Sequence, residues 1–159
     1  TINGSRTSED RMKIKRVLVP IDFSKDSLKA LDYAADFAKP LGAELVVLFV
    51  IEPIYYAVPD LAGSAAGAVG GMIEEQRASA KQQLERLQAR YAKRGIALRT
   101  LLQTGTPYQA IVDTAQAVKA GLIVMSTHGR TGMKHLLLGS TAERVVRTAS
   151  CPVLTMRVK

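Results

Sequence analysis

The sequence predicts an α/β protein built on an open, doubly wound sheet of five mostly parallel strands, with helices on both faces in an α/β/α sandwich. Three observations lead there. Five short runs are apolar on both faces, as strands covered from two sides are. Segments with apolar residues at helical spacing separate them. Strand and helix then alternate along one chain, the order of βα units.

Taken in order, residues 1–13, TINGSRTSEDRMK, are polar and aperiodic. The first 14 residues are therefore expected to be a disordered N-terminal extension or tag remnant, leaving one domain over 15–159. RVLVPIDF (16–23) reads as the first strand, and Ser24 as the N-cap of a helix carrying Leu28, Leu31, Ala35 and Ala38 on one face. AELVVLFVI (43–51) is the second strand. From Pro53 to Gly71 the chain is rich in Pro, Gly and Ala. Its last part, GSAAGAVGG (63–71), lacks the preceding strand end that a phosphate loop needs and reads as a mobile connection. A charged helix is expected over 72–94, stopped by Gly95. IALRTLLQ (96–103) is the third strand. Thr106, Pro107 and Gln109 then combine an N-cap, a proline at the first helical position and a capping-box glutamine, opening a helix that runs to about Lys119. GLIVMS (121–126) is the fourth strand, Ser140 and Glu143 form the capping box of the last helix, and PVLTMRV (152–158) is the fifth strand.

Bulk properties narrow the function. The 159 residues are 47% hydrophobic, enough for one core and too few for two. No window approaches the roughly 18 unbroken apolar residues of a membrane span, and the N-terminus lacks a signal-peptide core, so a cytoplasmic protein is expected. A single cysteine, Cys151, forms no internal disulfide, and with only two histidines a structural zinc site is disfavoured. Cys151 itself reads as a buried small hydrophobe. The net charge is +8, and residues 99–159 hold eight basic side chains against Asp113 and Glu143. That imbalance favours an anionic partner. Aromatics are 5% and no long basic run occurs, which disfavours nucleic acid and leaves a small phosphate ligand as the better fit.

In an open α/β sheet, ligands sit beyond the carboxyl ends of the strands, where the strand order reverses. Two such ends stand out: Pro20-Ile21-Asp22 after the first strand, and Met125-Ser126 leading into the loop THGRTGMKHLLLGS (127–140) after the fourth. Gly129 and Gly132 permit positive φ, and Gly139 permits close approach just before the helix. Amides there, with the N-terminal dipole of the last helix and the charges of Arg130 and Lys134, suit a phosphate. The same residues also admit a purely structural role, with glycines turning the chain and Ser140 capping its helix. Neither a Walker A loop nor G-x-G-x-x-G is present.

VLVPIDFS (17–24) together with STHGRTGMKHLLLGSTAERVVRTASCPVL (126–154) resembles the universal stress protein family, with the βα order matching over 15–158. The resemblance implies a Rossmann-like, adenine nucleotide alpha hydrolase-like fold. ATP-binding members carry the pattern G-x-x-G-x9-G-[ST]. Here Gly129, Gly139 and Ser140 fill its last three fixed positions, while Ser126 stands in place of the first glycine. Serine is small, so a nucleotide can still approach the backbone. By this resemblance Asp22 hydrogen-bonds the adenosine of ATP or AMP, Pro20 and Ile21 line its pocket, and the main chain of Val50 reads the adenine edge. Met125, Ser126 and His128 border adenosine and the α-phosphate. Gly129, Arg130, Gly139, Ser140 and Thr141 hold the phosphates, with Mg2+ bound through them.

Read without the family, Asp22 is equally a helix-start carboxylate near Ser24. His128 is more simply a loop histidine hydrogen-bonded to its neighbours than a catalyst, and His135 a solvated one. No Ser/His/Asp set or paired carboxylates emerge, so a regulatory nucleotide-binding protein is expected rather than an enzyme. A slow ATP hydrolase or transferase on the same fold, and a ligand-free dimeric interaction module, remain the alternatives. The fifth strand should lie at a sheet edge, and its apolar residues Val153, Leu154, Met156 and Val158, with Thr155, predict a homodimer formed by pairing that edge with a second copy.

Overall fold

The computed structural model describes residues 14–53, 66–128 and 138–157. Strands β1 (Arg16–Ile21), β2 (Glu44–Ile51), β3 (Leu98–Thr104), β4 (Leu122–Ser126) and β5 (Val153–Met156) alternate with helices α1 (Lys25–Ala38), α2 (Ala66–Ala92), α3 (Pro107–Ala117) and α4 (Ser140–Thr148). The strands form one sheet of order β3-β2-β1-β4-β5, parallel at every pairing. From β1 the chain winds outward to β3, then crosses back to β4 on the other side of β1. The order thus reverses between β1 and β4, which leaves a crevice at their carboxyl ends.

Strand alternation sorts the core into two layers. Val17, Val19, Leu45, Val47, Leu98, Leu122 and Val124 face α1 and α2, burying Leu31, Ala34, Ala35, Leu84, Leu87 and Tyr91. Leu18, Val46, Leu48, Ile123 and Met125 face the opposite way and bury Ile111, Ala115, Ala142 and Val145 of α3 and α4. This is the doubly wound sandwich the sequence predicts. No helix among the described residues is long and apolar enough to cross a membrane.

The start of α1 forms as its residues dictate. The Ser24 side chain accepts the Ser27 N–H at 3.2 Å, capping the first turn. Just before it, Phe23 sits at φ 61°, a left-handed value that costs a non-glycine residue energy. Its ring packs on Phe49 at a centroid distance of 5.0 Å, and this contact helps hold the tight exit from β1.

Three local expectations are corrected. First, α2 begins at Ala66 and not at residue 72, so Gly67, Gly70 and Gly71 of the supposed connection are helical. A helix whose later turns are fixed by packing extends at little cost, and alanines favour the extension. Second, Thr106 makes no side-chain cap bond, and Gln109 donates instead to Asp113 at 3.1 Å, so no capping box forms at α3. Third, the N-cap of α4 is Gly139, leaving Ser140 as its first helical residue. Glu143 pairs with Arg147 one turn on, so this capping box is also absent. The reason lies in the site.

Candidate functional site

The carboxyl ends of β1, β2 and β4 open into a cavity of about 380 Å3, roofed at its sides by α2, α3 and α4. From β1 come Pro20, Ile21 and Asp22, from β2 Val50, and from the end of β4 Met125, Ser126 and His128; Gly139, Ser140 and Thr141 close the far side. All ten of these residues singled out in the sequence converge on one space. Gly129 and Arg130 lie outside the described residues, as do Gly132, Lys134 and His135.

Asp22 stands both at the start of α1 and in the cavity lining. Its Oδ1 accepts the Ser24 N–H at 2.9 Å, fixing the start of α1, while the residue lines the cavity. Its own N–H donates to the Ser27 hydroxyl at 3.3 Å.

The β4 side is braced by its own polar groups. The Ser126 hydroxyl donates to the His128 carbonyl at 2.7 Å, and Thr127 Oγ1 pairs with His128 Nδ1 at 2.9 Å. Thr127 then joins three segments: its N–H donates to the Met156 carbonyl at 2.9 Å, and its carbonyl accepts the Gly139 N–H at 2.7 Å. A Cβ on Gly139 would meet that carbonyl at 3.0 Å, tighter than side chains ordinarily tolerate. Close approach, not positive φ, is why glycine stands here: its φ is −68°. By docking on Thr127, Gly139 becomes the residue that turns into α4. The first in-helix bond is then Glu143 N–H to Gly139 carbonyl at 2.9 Å. The amides of Ser140, Thr141 and Ala142 have no acceptor within the helix, and all three residues line the cavity. With the helix dipole behind them, they make its anion-favouring end.

Apolar parts of the lining come from Pro20, Leu48, Phe49, Met125, Pro107 and Ile111. Glu52, just beyond β2, and Gln76 from α2 add an acidic and a polar residue to it. Sequence reasoning missed these last two, along with Ser27, Thr127 and the α3 residues. Thr127 gave no signal beyond its place next to Ser126. The α3 residues were read only as helix start and helix face. Cys151 is half-buried against the α3 and α4 layer, and desolvation raises its pKa, so its thiol is held in the neutral form.

A model of the universal stress protein family matches residues 13–157. The chain is 34% identical over 143 residues to the universal stress protein MJ0531 of Methanocaldococcus jannaschii, covering 90% of this chain and 82% of that one. Among solved structures, MJ0577 of the same organism matches with a TM-score of 0.81 at 26% identity, covering 92% of this chain and 98% of the other. A universal stress protein in complex with cAMP matches with a TM-score of 0.67 at 25% identity, over 92% and 99% of the two chains. Sequence, strand order and the cavity at the β1/β4 reversal agree with a match that spans nearly the whole chain, and the chain belongs to the universal stress protein family.

Proposed function

We propose that this chain is a cytoplasmic, adenine-nucleotide-binding universal stress protein with a regulatory role, taking ATP or AMP in the cavity at the β1/β4 reversal. The observation that carries this reading is the polarity of the cavity. The lining combines the donor-rich start of α4 with the carboxylate-bearing residues Asp22 and Glu52 and with apolar side chains between strands and helices. An anionic phosphate is drawn to the amides at the start of α4 and away from the carboxylates, while a flat base fits against the apolar side chains. A volume of about 380 Å3 suits a small-molecule ligand of this class. The relative crystallised with cAMP supports an adenine nucleotide in particular.

Binding without rapid turnover is the better fit. Three side chains of the lining could act as a base; two of them are already engaged, Asp22 on the Ser24 amide and His128 on Thr127, and the third, Glu52, stands just beyond β2. Mg2+ enters this reading as an ion carried on the phosphates. Among the described residues no three His, Cys, Asp or Glu side chains converge, and Mg2+ needs few protein ligands when phosphate oxygens supply the rest. The reading includes a homodimer through β5, an edge strand whose residues Val153–Met156 are all only partly covered. Val158 lies outside the described residues.

The test is calorimetric titration of wild type and Gly139→Val with ATP, AMP and cAMP, together with measurement of released phosphate. A valine at 139 pushes on the Thr127 carbonyl and displaces the start of α4, so affinity should fall at least about tenfold, roughly 1.4 kcal/mol. Equal affinity in the two proteins, or no saturable binding by wild type, would sink the reading. Phosphate release that tracks occupancy would instead favour the slow hydrolase.

A further inference from the structure

The cavity lies at the carboxyl ends of the strands, so the amino ends of the strands lie opposite it, together with the carboxyl ends of α1, α2 and α3. That opposite end is strongly basic. Its strand starts and connecting turns carry Lys15, Arg16, Lys39, Lys93, Arg99 and Lys119 against a single acid, Glu44, among the described residues. Arg94, in the same region, is bound to Asp32 and Asp36 of α1. The carboxyl ends of the three helices offset about half a charge each, which leaves most of the excess uncancelled. Of the bases that make the last third of the sequence positive, Arg99 and Lys119 thus stand away from the cavity, and a ligand held there does not use them.

Backbone bonds fix the bases in place. The Glu44 N–H donates to the Lys15 carbonyl at 2.9 Å, the Gly121 N–H to the Arg16 carbonyl at 2.9 Å and the Gly42 N–H to the Lys39 carbonyl at 3.1 Å. Arg16, Glu44 and Arg99 each stand two residues before a residue of the α3 and α4 layer, Leu18, Val46 and Leu101, so alternation puts the three side chains on one face. Glu44 is taken there by Arg99, whose Nε lies 3.3 Å from its Oε1. Arg16 is half-buried, and its Nε is buried without a hydrogen-bond partner among the described residues. No bond at that nitrogen opposes a turn of the side chain toward an acidic ligand. Next to Lys39, the turn after α1 exposes Pro40 and Leu41, the latter by 49%.

We propose that this amino end of the sheet docks an acidic segment of a partner protein, with carboxylates on the bases and an apolar side chain over Leu41. The inference is independent of the nucleotide reading, since the two sites stand at opposite ends of the strands. Charge complementarity carries it: a surface of one sign draws a partner of the other and rejects its own kind. An arginine adds direction, because its guanidinium takes a carboxylate in a two-bond fork. The exposed leucine points to a polypeptide rather than a phosphate polymer. A single-stranded nucleic acid would stack its bases on exposed aromatic rings, and the strand starts and turns described at this end carry none. A lipid surface would take up a broader apolar face than one leucine and one proline.

The probe is a short fluorescein-labelled peptide of alternating glutamate and leucine, titrated by anisotropy with the full chain. A single-stranded oligonucleotide of equal charge and vesicles of phosphatidylserine and phosphatidylcholine are run beside it. Wild type should bind the peptide most tightly of the three. Lys39→Glu with Lys119→Glu should weaken the peptide at least about tenfold, and Leu41→Ser about threefold or more. Lys81→Glu with Arg86→Glu makes an equal change of charge on the exposed side of α2 and should alter affinity less than about twofold. Gly139→Val, which disturbs the cavity at the other end, should leave it unchanged. Leu41→Ser alters only a half-exposed side chain, so it carries the test should the first double variant fail to fold. Equal weakening by the two charge reversals, or an unchanged affinity in Leu41→Ser, would overturn the proposal. Tighter binding of the oligonucleotide or the vesicles would refute the choice of partner, and loss of the peptide in Gly139→Val would move it to the cavity and refute the surface.

Discussion

Ser126 replaces the first glycine of the family pattern, and its hydroxyl is turned back on the loop, donating to the His128 carbonyl rather than standing open in the slot. The residue is nearly buried, so an unsatisfied hydroxyl would have been costly there. Because the bond is made within the chain, Ser126 holds the loop as glycine does not. Ser126→Gly should therefore lower stability by about 1–2 kcal/mol, from the lost hydrogen bond and the added freedom of glycine in a strand. Nucleotide affinity should change by less than about tenfold. Urea denaturation and calorimetry check the two halves, and a glycine variant that binds tightly where wild type does not would overturn the second. At this scale the sequence was legible where side chains have distinct local chemistry: Asp22 and Ser24 are where a turn into a helix needs them. It was less legible at Ser140, because a serine followed by Glu143 looks like a capping box until the contact of Gly139 with Thr127 moves the cap back one residue.

Among the elements, the strands were read to within two residues because apolar runs and glycine breaks mark their ends. The start of α2 was misjudged because glycine is a weak local signal against helix and tertiary anchoring lies a turn or more downstream. That anchoring is a polar latch at the other end of the helix. Tyr91, 1% exposed, donates its hydroxyl to Asp32 Oδ1 at 2.7 Å, and Arg94 donates to the same oxygen at 2.7 Å while also reaching Asp36 at 3.3 Å. Arg94 lies over the Tyr91 ring, 4.8 Å from its centroid. Burial alone would raise the Asp32 pKa. The hydrogen bonds from Tyr91 and Arg94 and the charges of Arg90 and Arg94 outweigh it and hold the carboxyl below its usual value. Burial and the Asp32 carboxylate push the Tyr91 phenol up. A carboxylate lowered in the folded state adds stability above its unfolded pKa of about 3.9 and loses it as pH falls through the folded value. Tyr91→Phe keeps the ring and removes one bond to a partly exposed charge, so it should cost about 1 kcal/mol at pH 7. That difference should hold down to about pH 5 and shrink below about pH 4, read as urea midpoints across the range. A difference independent of pH would show that the hydroxyl acts without the ionised Asp32.

For the whole molecule, the reversal between β1 and β4 was legible as two strand ends with unusual chemistry, Asp22 after one and the glycine loop after the other. The contributions of Glu52 and Gln76 were not, since they depend on where a long helix crosses the sheet. The edge position of β5 was expected and is observed, and it bears on assembly. The carbonyls of Pro152 and Met156 accept from Ile123 and Thr127, so Leu154 and Met156 face β4 along the ladder. By alternation, Val153, Thr155 and Arg157 turn their backbone N–H and C=O groups outward at the sheet edge. A second copy related by a twofold axis can pair with this row antiparallel, joining two five-stranded sheets. Leu154 and Met156, counted from the sequence as contact residues, pack against the chain's own core and are half-buried. A charge at either position therefore disturbs folding as well as association. Thr155→Pro separates the two, because it removes one outward donor at an edge where proline is tolerated and leaves the β4 ladder intact. Wild type should sediment as a dimer at about ten micromolar and above, the range where a specific interface of modest affinity is filled. The proline variant should sediment as a monomer with an unchanged far-ultraviolet circular dichroism spectrum. A monomeric wild type, or a proline variant that remains fully dimeric, would show that the edge of β5 is not the pairing surface.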